Sequence, residues 1–170
     1  MSVKIVKYGS SVLRKRAEQI DIDEAAGVII EDLFSALKKE KGLGLAGPQI
    51  GVLKRVFVMD TTPLTEDDPL ISKIEKAVIN PEILWFSEEK VIYEEGCLSI
   101  PGIYEEVRRS ASIRVRYCGL DFNYKEEELE GISARIFQHE YDHLNGILFI
   151  DKINPLRRKL LNGKLKKIRK

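Results

Sequence analysis

The sequence predicts an α+β fold, in which short antiparallel strands mix with two or three helices. An amphipathic helical stripe near the amino terminus and a β-rich middle favour this class. Strands and helices do not alternate regularly along the chain, which argues against a parallel sheet. The length of 170 residues suits one domain, and 44% apolar with 32% charged residues is typical of a globular chain. We therefore expect residues 1–170 to form a single domain.

The first long helix is predicted between Asp23 and Lys41. Apolar residues recur there at intervals of three and four, which is the pattern of a helix that buries one face. This stripe consists of Ala26, Ile30, Leu33, Phe34 and Leu37. Asp21 or Asp23 can cap the start of the helix, and Gly42 is expected to end it.

Loops and strands follow this helix. Four glycines and a proline between residues 42 and 51 favour a loop of unusual backbone geometry, and the polar segment 61–73 favours an exposed loop. The acidic segment 125–131 is expected to turn the chain. Strands are predicted at 54–60, 77–86, 89–96 and 112–118; in the last of these, Ile113, Val115 and Tyr117 face one way.

A second helix, predicted from Ile132 to Leu144, carries both histidines of the chain. His139 and His143 lie four residues apart, and Glu140 directly follows the first. Positions i and i+4 share one helix face, so both imidazoles can reach one cation while the carboxylate can contact a metal-bound water. This HExxH pattern predicts a metal site.

The third ligand is harder to assign, because a catalytic metal site commonly uses three protein ligands and leaves a position for water. Downstream of the motif, residues 144–170 offer only Asp151, which would suit a zinc endopeptidase. Upstream, Cys97 stands in a glycine-flanked loop after a strand, where a thiolate could point inward. Adding Cys118 would close a structural Cys₂His₂ site without room for water.

Charge is distributed unevenly along the chain. Residues 155–170 carry eight basic side chains and no acidic one, whereas the other 154 residues carry 20 basic and 27 acidic side chains. A basic tail of this kind is either a tether for a polyanion or a solvated terminal helix. No apolar run approaches the ~20 residues of a membrane span, and the first ten residues lack a signal-peptide core. We expect a cytoplasmic protein with unbridged cysteines.

Three segments together resemble the peptide deformylase family: GLGLAGPQ at 42–49, EGCLS at 95–99 and QHEYDH at 138–143. The similarity continues through residues 8–14 and 146–149, and so covers most of the chain. The expected fold is then a set of antiparallel sheets packed around a central helix that carries HExxH. An amino-terminal amphipathic helix and a basic carboxyl-terminal helix, at about 155–170, complete it.

The resemblance implies a metal-dependent hydrolase that removes the formyl group from the N-formylmethionine of nascent polypeptides and releases formate. Cys97, His139 and His143 would hold one divalent ion per chain. That ion is Fe²⁺ natively, and Zn²⁺, Ni²⁺ or Co²⁺ can substitute, since mixed sulfur and nitrogen ligands suit all four.

The resemblance also implies roles for three further residues. Glu140 would take a proton from the attacking water and return it to the leaving amine. The side-chain amide of Gln49 and the backbone N–H of Leu98 would stabilise the negative charge that develops on the formyl oxygen.

The same resemblance implies how the peptide is bound. The backbone around Leu43, Gly44 and Gly96 would pair with an extended chain by strand addition. Leu43, Ile132 and Ile136 are candidates for the pocket that receives the methionine side chain, although for any single one of them a place in the core is the better interpretation.

Two positions depart from the family pattern. Gly47 stands where alanine is common, which we interpret as a minor change. Tyr104 stands where several members carry an arginine that contacts the carboxyl side of the substrate. We also expect a monomer, with Arg157 to Lys170 as candidate contacts to ribosomal RNA. The alternatives are a zinc endopeptidase of HExxH type and a ribosome-binding module with structural zinc.

Overall fold

The structure is a computed structural model that describes residues 3–169, apart from the side chain of Glu24. Its helices are α1 (Glu24–Glu40), α2 (Thr62–Thr65), α3 (Gly131–Leu144), α4 (Pro155–Leu160) and α5 (Asn162–Ile168). Its strands are β1 (Gly44–Ala46), β2 (Val56–Asp60), β3 (Glu75–Phe86), β4 (Lys90–Cys97), β5 (Ile100–Ser110), β6 (Ser112–Cys118) and β7 (Tyr124–Glu130). None of the helices in the described part of the chain is long and apolar enough to cross a membrane.

Five strands form one antiparallel sheet in the order β1-β2-β3-β6-β7. Helices cover both faces of this sheet, so every residue of β2 is buried. Val56 and Val58 pack on the side of α1, whereas Phe57 and Met59 pack on the side of α3. The Phe57 ring meets that of Phe137 on α3 edge to face, with 5.0 Å between their centroids. The predicted α+β class with a central HExxH helix is confirmed.

The other two strands, β4 and β5, form a separate antiparallel hairpin. Its apolar face, which includes Ile103 and Val107, packs on Leu148 and Phe149 and on the carboxyl-terminal helices. The register is irregular between Glu95 and Cys97, close to the hairpin tip. This hairpin is what presents the thiol of Cys97 to α3.

Helix α1 lies where the sequence predicts it. The carboxylate of Asp23 accepts hydrogen bonds from the backbone N–H groups of Ala25 and Ala26, so Asp23 and not Asp21 is the amino-terminal cap. At the other end Lys41 adopts a left-handed conformation with φ of 53°, which stops the helix just before Gly42.

The structure corrects two predictions in the β-rich middle. The acidic segment 125–131 does not turn the chain, because most of it belongs to edge strand β7. Glutamates of β7 lie opposite arginines of β6, as in the pair Arg116 and Glu126, and charged side chains are common on edge strands. Strand β5 was not predicted either. Its buried positions include Ile103, Val107 and Arg109, and the charge of Arg109 obscured the strand pattern.

Three loop or tail predictions also need correction. The glycine-rich segment 42–51 contains the short strand β1 and a 3₁₀ turn at Gly47–Ile50, and segment 61–73 contains the single helical turn α2. The basic tail forms two short helices instead of one, since Asn162 and Gly163 at the junction are poor helix formers. The last residue of the predicted tail, Lys170, lies outside the described residues.

Candidate active site

Three ligand-type side chains converge between the β4–β5 hairpin and α3. Cys97 is the last residue of β4, and His139 and His143 lie one turn apart on α3. Their ligand atoms all lie within 4.8 Å of one another, and Cys97 Sγ is 3.3 Å from Nε2 of His143. The structure therefore brings together the three residues that the sequence singled out as metal ligands.

His139 is oriented by a buried carboxylate that the sequence analysis did not assign. Its Nδ1 lies 2.8 Å from Oε1 of Glu95, two residues before Cys97 on β4. If Nδ1 carries the proton and donates it to this carboxylate, Nε2 is free to act as a ligand. Glu95 is buried, so its charge requires cationic partners.

Two arginines supply those partners. Arg109 makes a bidentate contact with Glu95, with distances of 2.6 and 2.9 Å, and also donates to Asp142 at 2.7 Å. Arg135 donates to Glu95 at 2.7 Å. Although burial raises the pKa of the Glu95 carboxyl, hydrogen bonds from Arg109 and His139 outweigh it and hold the pKa well below its usual range. This network joins the hairpin to α3.

The two imidazoles differ in their affinity for protons in the metal-free protein. Burial lowers the pKa of His139, but hydrogen bonds to Cys97 and Glu95 outweigh burial and raise it well above its usual value. Burial and the charge of His139 lower the pKa of His143 well below that value. The two shifts are opposite in direction, so the rings are not equivalent in the metal-free protein.

Glu140 lies beside these rings and is buried. Its Oε2 atom has no hydrogen-bond partner among residues 3–169, so it is available to an exchangeable group. Burial raises the pKa of this carboxyl to about 7. A carboxyl tuned in this way can both accept and return a proton near neutral pH. A bound cation would shift the balance toward the carboxylate.

The glycine of β1 is what leaves room for Glu140. A Cβ atom at Gly44 would lie 2.5 Å from Oε1 of Glu140 and 2.8 Å from its Cδ. Such contacts are far below van der Waals separation, so a side chain at this position would displace the carboxylate.

We expect Gly44→Ala to lower kcat by about 10²-fold, because a displacement of about 1 Å at a reacting group can cost that much. The matched control is Gly27→Ala on α1, where an added Cβ meets no atom within 4 Å. Steady-state kinetics with melting curves for both variants would test this. Full activity of Gly44→Ala would show that the carboxylate has room to move without loss.

Gln49 lies next to Cys97 and is held in one orientation. Its Oε1 accepts from the N–H of Ala46 at 2.8 Å, while its Nε2 donates to Ser99 Oγ at 3.2 Å and lies 3.5 Å from Cys97 Sγ. Leu98 and Ser99 form the two-residue turn between β4 and β5, directly after the thiol. The amide of Gln49 and the Leu98 backbone are therefore both next to Cys97.

A cavity of about 400 Å³ opens over these groups. Leu43, Ile132 and Ile136 line it and also belong to, or pack against, the core cluster under α3. Tyr104, which is 64% exposed, lines it as well. The Tyr104 ring lies across Gly96, where a Cβ atom would come within 2.5 Å of it.

Gly47 matters more than the sequence suggested. A Cβ atom there would lie 2.7 Å from the carbonyl oxygen of Val52 and 2.8 Å from that of Lys54. Because backbone atoms cannot move aside cheaply, alanine would strain the turn that carries Gln49. The interpretation of Gly47 as a minor change is wrong for this chain.

Neither alternative ligand joins the site. Asp151 pairs with Arg14 and accepts from the N–H of Leu148. Cys118 is buried in the core beneath α1, where its thiol points to the carbonyl of Gly119. Both cysteines are free, as expected. An endopeptidase site with Asp151 and a closed Cys₂His₂ site are therefore not supported.

The donor set fits a divalent transition metal. One thiolate and two imidazoles match the mixed ligands that Fe²⁺, Zn²⁺, Ni²⁺ and Co²⁺ accept, and three donors leave a coordination position for water. An adjacent carboxylate with an unpaired buried oxygen adds a group that can move protons. Together these features are typical of a metal-dependent hydrolase.

Comparisons with known proteins agree with this class. The profile of the polypeptide deformylase family matches residues 2–159. A peptide deformylase of Thermotoga neapolitana is 48% identical over 164 residues, which cover 96% of this chain and 94% of the relative. The chain belongs to the polypeptide deformylase family.

Solved structures show the same relationship. The crystal structure of peptide deformylase from Thermotoga maritima is 45% identical, with a TM-score of 0.81, and the match covers 91% of this chain and 99% of that one. A Plasmodium falciparum peptide deformylase is 36% identical, with a TM-score of 0.88 and coverage of 97% and 94%.

Proposed function

We propose that this enzyme, a hydrolase of protein biosynthesis, removes the formyl group from N-formylmethionyl peptides through a metal held by Cys97, His139 and His143. The observation that carries the proposal is the convergence of these three donors within 4.8 Å. Glu140 and the large cavity adjoin them. Residues 1–170 would act as one catalytic domain.

The three donors would hold one ion per chain, Fe²⁺ natively, with Zn²⁺, Ni²⁺ or Co²⁺ as substitutes. When bound, such an ion lowers the pKa of water toward ~7 and so supplies a nucleophile at neutral pH. Glu95 contributes by holding Nδ1 of His139, which leaves Nε2 directed to the site.

Glu140 would carry the proton of the reaction. Its carboxylate accepts a proton from the attacking water and delivers it to the amine as the C–N bond breaks, so that formate and a free amino terminus are released. The contact with Gly44 keeps the carboxylate beside the strand on which the peptide would lie. This fixed position favours transfer over a short distance.

Gln49 and Leu98 would stabilise the negative charge on the formyl oxygen through Nε2 and the backbone N–H. The hydrogen bonds from Ala46 and to Ser99 fix the Gln49 amide before substrate binds, which is the preorganisation that such a site needs. Leu43, Gly44 and Gly96 would pair with the peptide backbone, while Ile132 and Ile136 would contact the methionine side chain.

We expect Gln49→Ala to lower kcat by about 10²-fold or more with the ion retained, because one such donor is worth about 3 kcal/mol in the transition state. Turnover and metal content of the purified variant would be measured together. A variant with normal kcat would show that the amide serves only the loop.

The direct test is formate release from formyl-Met-Ala by protein purified anaerobically and loaded with Fe²⁺. Acetyl-Met-Ala is the matched control, since its larger acyl group tests selection for formyl. We expect rapid release from the formyl peptide and slow or no hydrolysis of the acetyl peptide. Absence of formate under these conditions would overturn the proposal.

The surroundings of the enzyme are also a proposal: a cytoplasmic monomer that meets nascent chains at the ribosome through Arg157 to Lys170. Four exposed lysines on α4 and α5 support the contact with RNA: Lys159, Lys164, Lys166 and Lys167. Other basic side chains of this tail are engaged within the protein, as in the bidentate pair of Arg157 with Glu105.

A further inference from the structure

The extended segment 6–8 joins the turn that carries Gln49 to the turn that carries Leu98 and Ser99. Gln49 and Leu98 are the two residues proposed to stabilise the formyl oxygen. The N–H of Val6 donates to the carbonyl of Gln49, and the N–H of Tyr8 donates to the carbonyl of Ser99, both at 2.8 Å. These bonds come from alternate residues, as expected of an extended chain that pairs along one side. The amino-terminal segment therefore holds the Gln49 turn and the hairpin tip together.

Lys7 lies between these two residues and reaches the same hairpin tip with its side chain. Its Nζ donates to the carbonyl of Leu98 at 2.7 Å, and the residue lines the cavity of the candidate active site. Neighbouring Val6 and Tyr8 pack against the core beneath the hairpin, so the alternation of an extended chain directs Lys7 away from that core.

The Leu98 backbone needs an anchor of this kind. Leu98 and Ser99 form the turn between β4 and β5, and the irregular register between Glu95 and Cys97 interrupts the regular ladder just before it.

 The N–H and the carbonyl of Leu98 flank one Cα atom, so a rotation of the turn moves both groups. A charged donor on the carbonyl restricts that rotation.

We propose that Lys7 is a positioning residue: its ammonium group holds the Leu98 carbonyl and thereby aims the Leu98 N–H at the developing oxyanion. This inference rests on the proposed function, in which that N–H stabilises the transition state. Such a donor must lie within about 2.7–3.1 Å of the oxyanion, so a small rotation of the turn weakens it. The Lys7 side chain would act through the Leu98 carbonyl, to which it donates.

The test compares Lys7→Met, which keeps the length of the side chain, with Lys7→Arg, which keeps a charged donor. We expect Lys7→Met to lower kcat roughly tenfold with KM changed less than twofold, because the loss affects the transition state more than the bound substrate. Lys7→Arg should recover most of kcat. Lys4→Met is the control, since Lys4 is an exposed lysine of the same segment.

Salt separates positioning from a general effect of charge. A long-range effect of the ammonium charge is screened at high ionic strength, where the Debye length falls to about 3 Å at 1 M salt. The ratio of wild-type to Lys7→Met kcat should therefore stay constant between low and high salt. A ratio that falls toward one would replace positioning by charge attraction and overturn the inference.

Other outcomes are equally decisive. Equal kcat for wild type and Lys7→Met would overturn the inference while leaving the proposed function intact. A lower melting temperature for Lys7→Met, with kcat and KM both impaired and no recovery by arginine, would assign Lys7 a structural role instead. A wild-type enzyme that releases no formate would overturn the proposed function, and this inference with it.

Discussion

Replacing Glu140 by glutamine is expected to lower the rate of formate release by about 10²- to 10⁴-fold, which is the usual contribution of a general acid–base group. Glutamine has nearly the same shape but cannot accept the proton of the attacking water. The metal ligands are untouched, so the ion should remain bound. Single-turnover formate release and metal analysis of the same sample would check both expectations. Activity within tenfold of wild type would remove Glu140 from the proton-transfer role.

The same substitution is expected to raise the free energy of unfolding of the metal-free protein. Burial raises the pKa of the Glu140 carboxyl to about 7, above its value of 4.5 in an unfolded chain. The folded state therefore binds the proton of the Glu140 carboxyl more tightly than the unfolded state does. As pH rises from about 4.5 to about 7, the free energy of unfolding falls progressively.

Glu140→Gln lacks this titration. The variant should gain stability relative to wild type between pH 5 and pH 8, by up to about 3 kcal/mol, since one pKa unit corresponds to about 1.4 kcal/mol. Urea unfolding of chelator-treated protein at both pH values would measure this gain. A difference between the two proteins that is independent of pH would contradict the assignment.

Replacing Arg109 by methionine is expected to lower the free energy of unfolding by about 3–5 kcal/mol, because it leaves two buried carboxylates short of a cationic partner. These are Glu95 and Asp142, both of which Arg109 contacts directly. Glu95 keeps Arg135 and His139, but Asp142 loses its closest cation. The variant should also bind metal more weakly, since Glu95 orients His139.

The matched control is Lys38→Met, which breaks an ion pair with Glu75 in which both side chains are well exposed. Exposed pairs are worth at most about 1 kcal/mol, so this variant should unfold much like wild type. Denaturant unfolding of the two variants would test the contrast. Equal losses would mean that burial adds nothing to the role of Arg109.

The local sequence was enough to predict that His139 and His143 share a candidate metal site, whereas Cys97 was singled out as the third ligand only by the family resemblance. The two histidines share a helix face by spacing alone. For the third ligand, the residues by themselves left Asp151 and Cys118 open beside Cys97. The predictions of α1 and β2 are likewise confirmed. Apolar residues recur along one face of α1 and run continuously through β2, and each pattern reflects the layer against which the element packs.

The buried ion-pair network around Glu95 could not be predicted, because its members come from three separate elements. Glu95, Arg109 and Asp142 are charged residues that would ordinarily be placed on the surface. A signal was present in β5, where Arg109 occupies the same alternating face as Ile103 and Val107. An inward charge in an apolar series marks a buried partner, but only the fold identifies that partner as Glu95.

In the proposed function, the close approach of Gly44 and Glu140 would link peptide binding to catalysis. A peptide that paired with β1 would be aligned by main-chain atoms that every sequence shares, and the proposed proton carrier Glu140 lies next to that same strand. The formylated amino terminus of the peptide would thus set which of its residues lie along β1. Such an arrangement would accept peptides of almost any sequence in the same position.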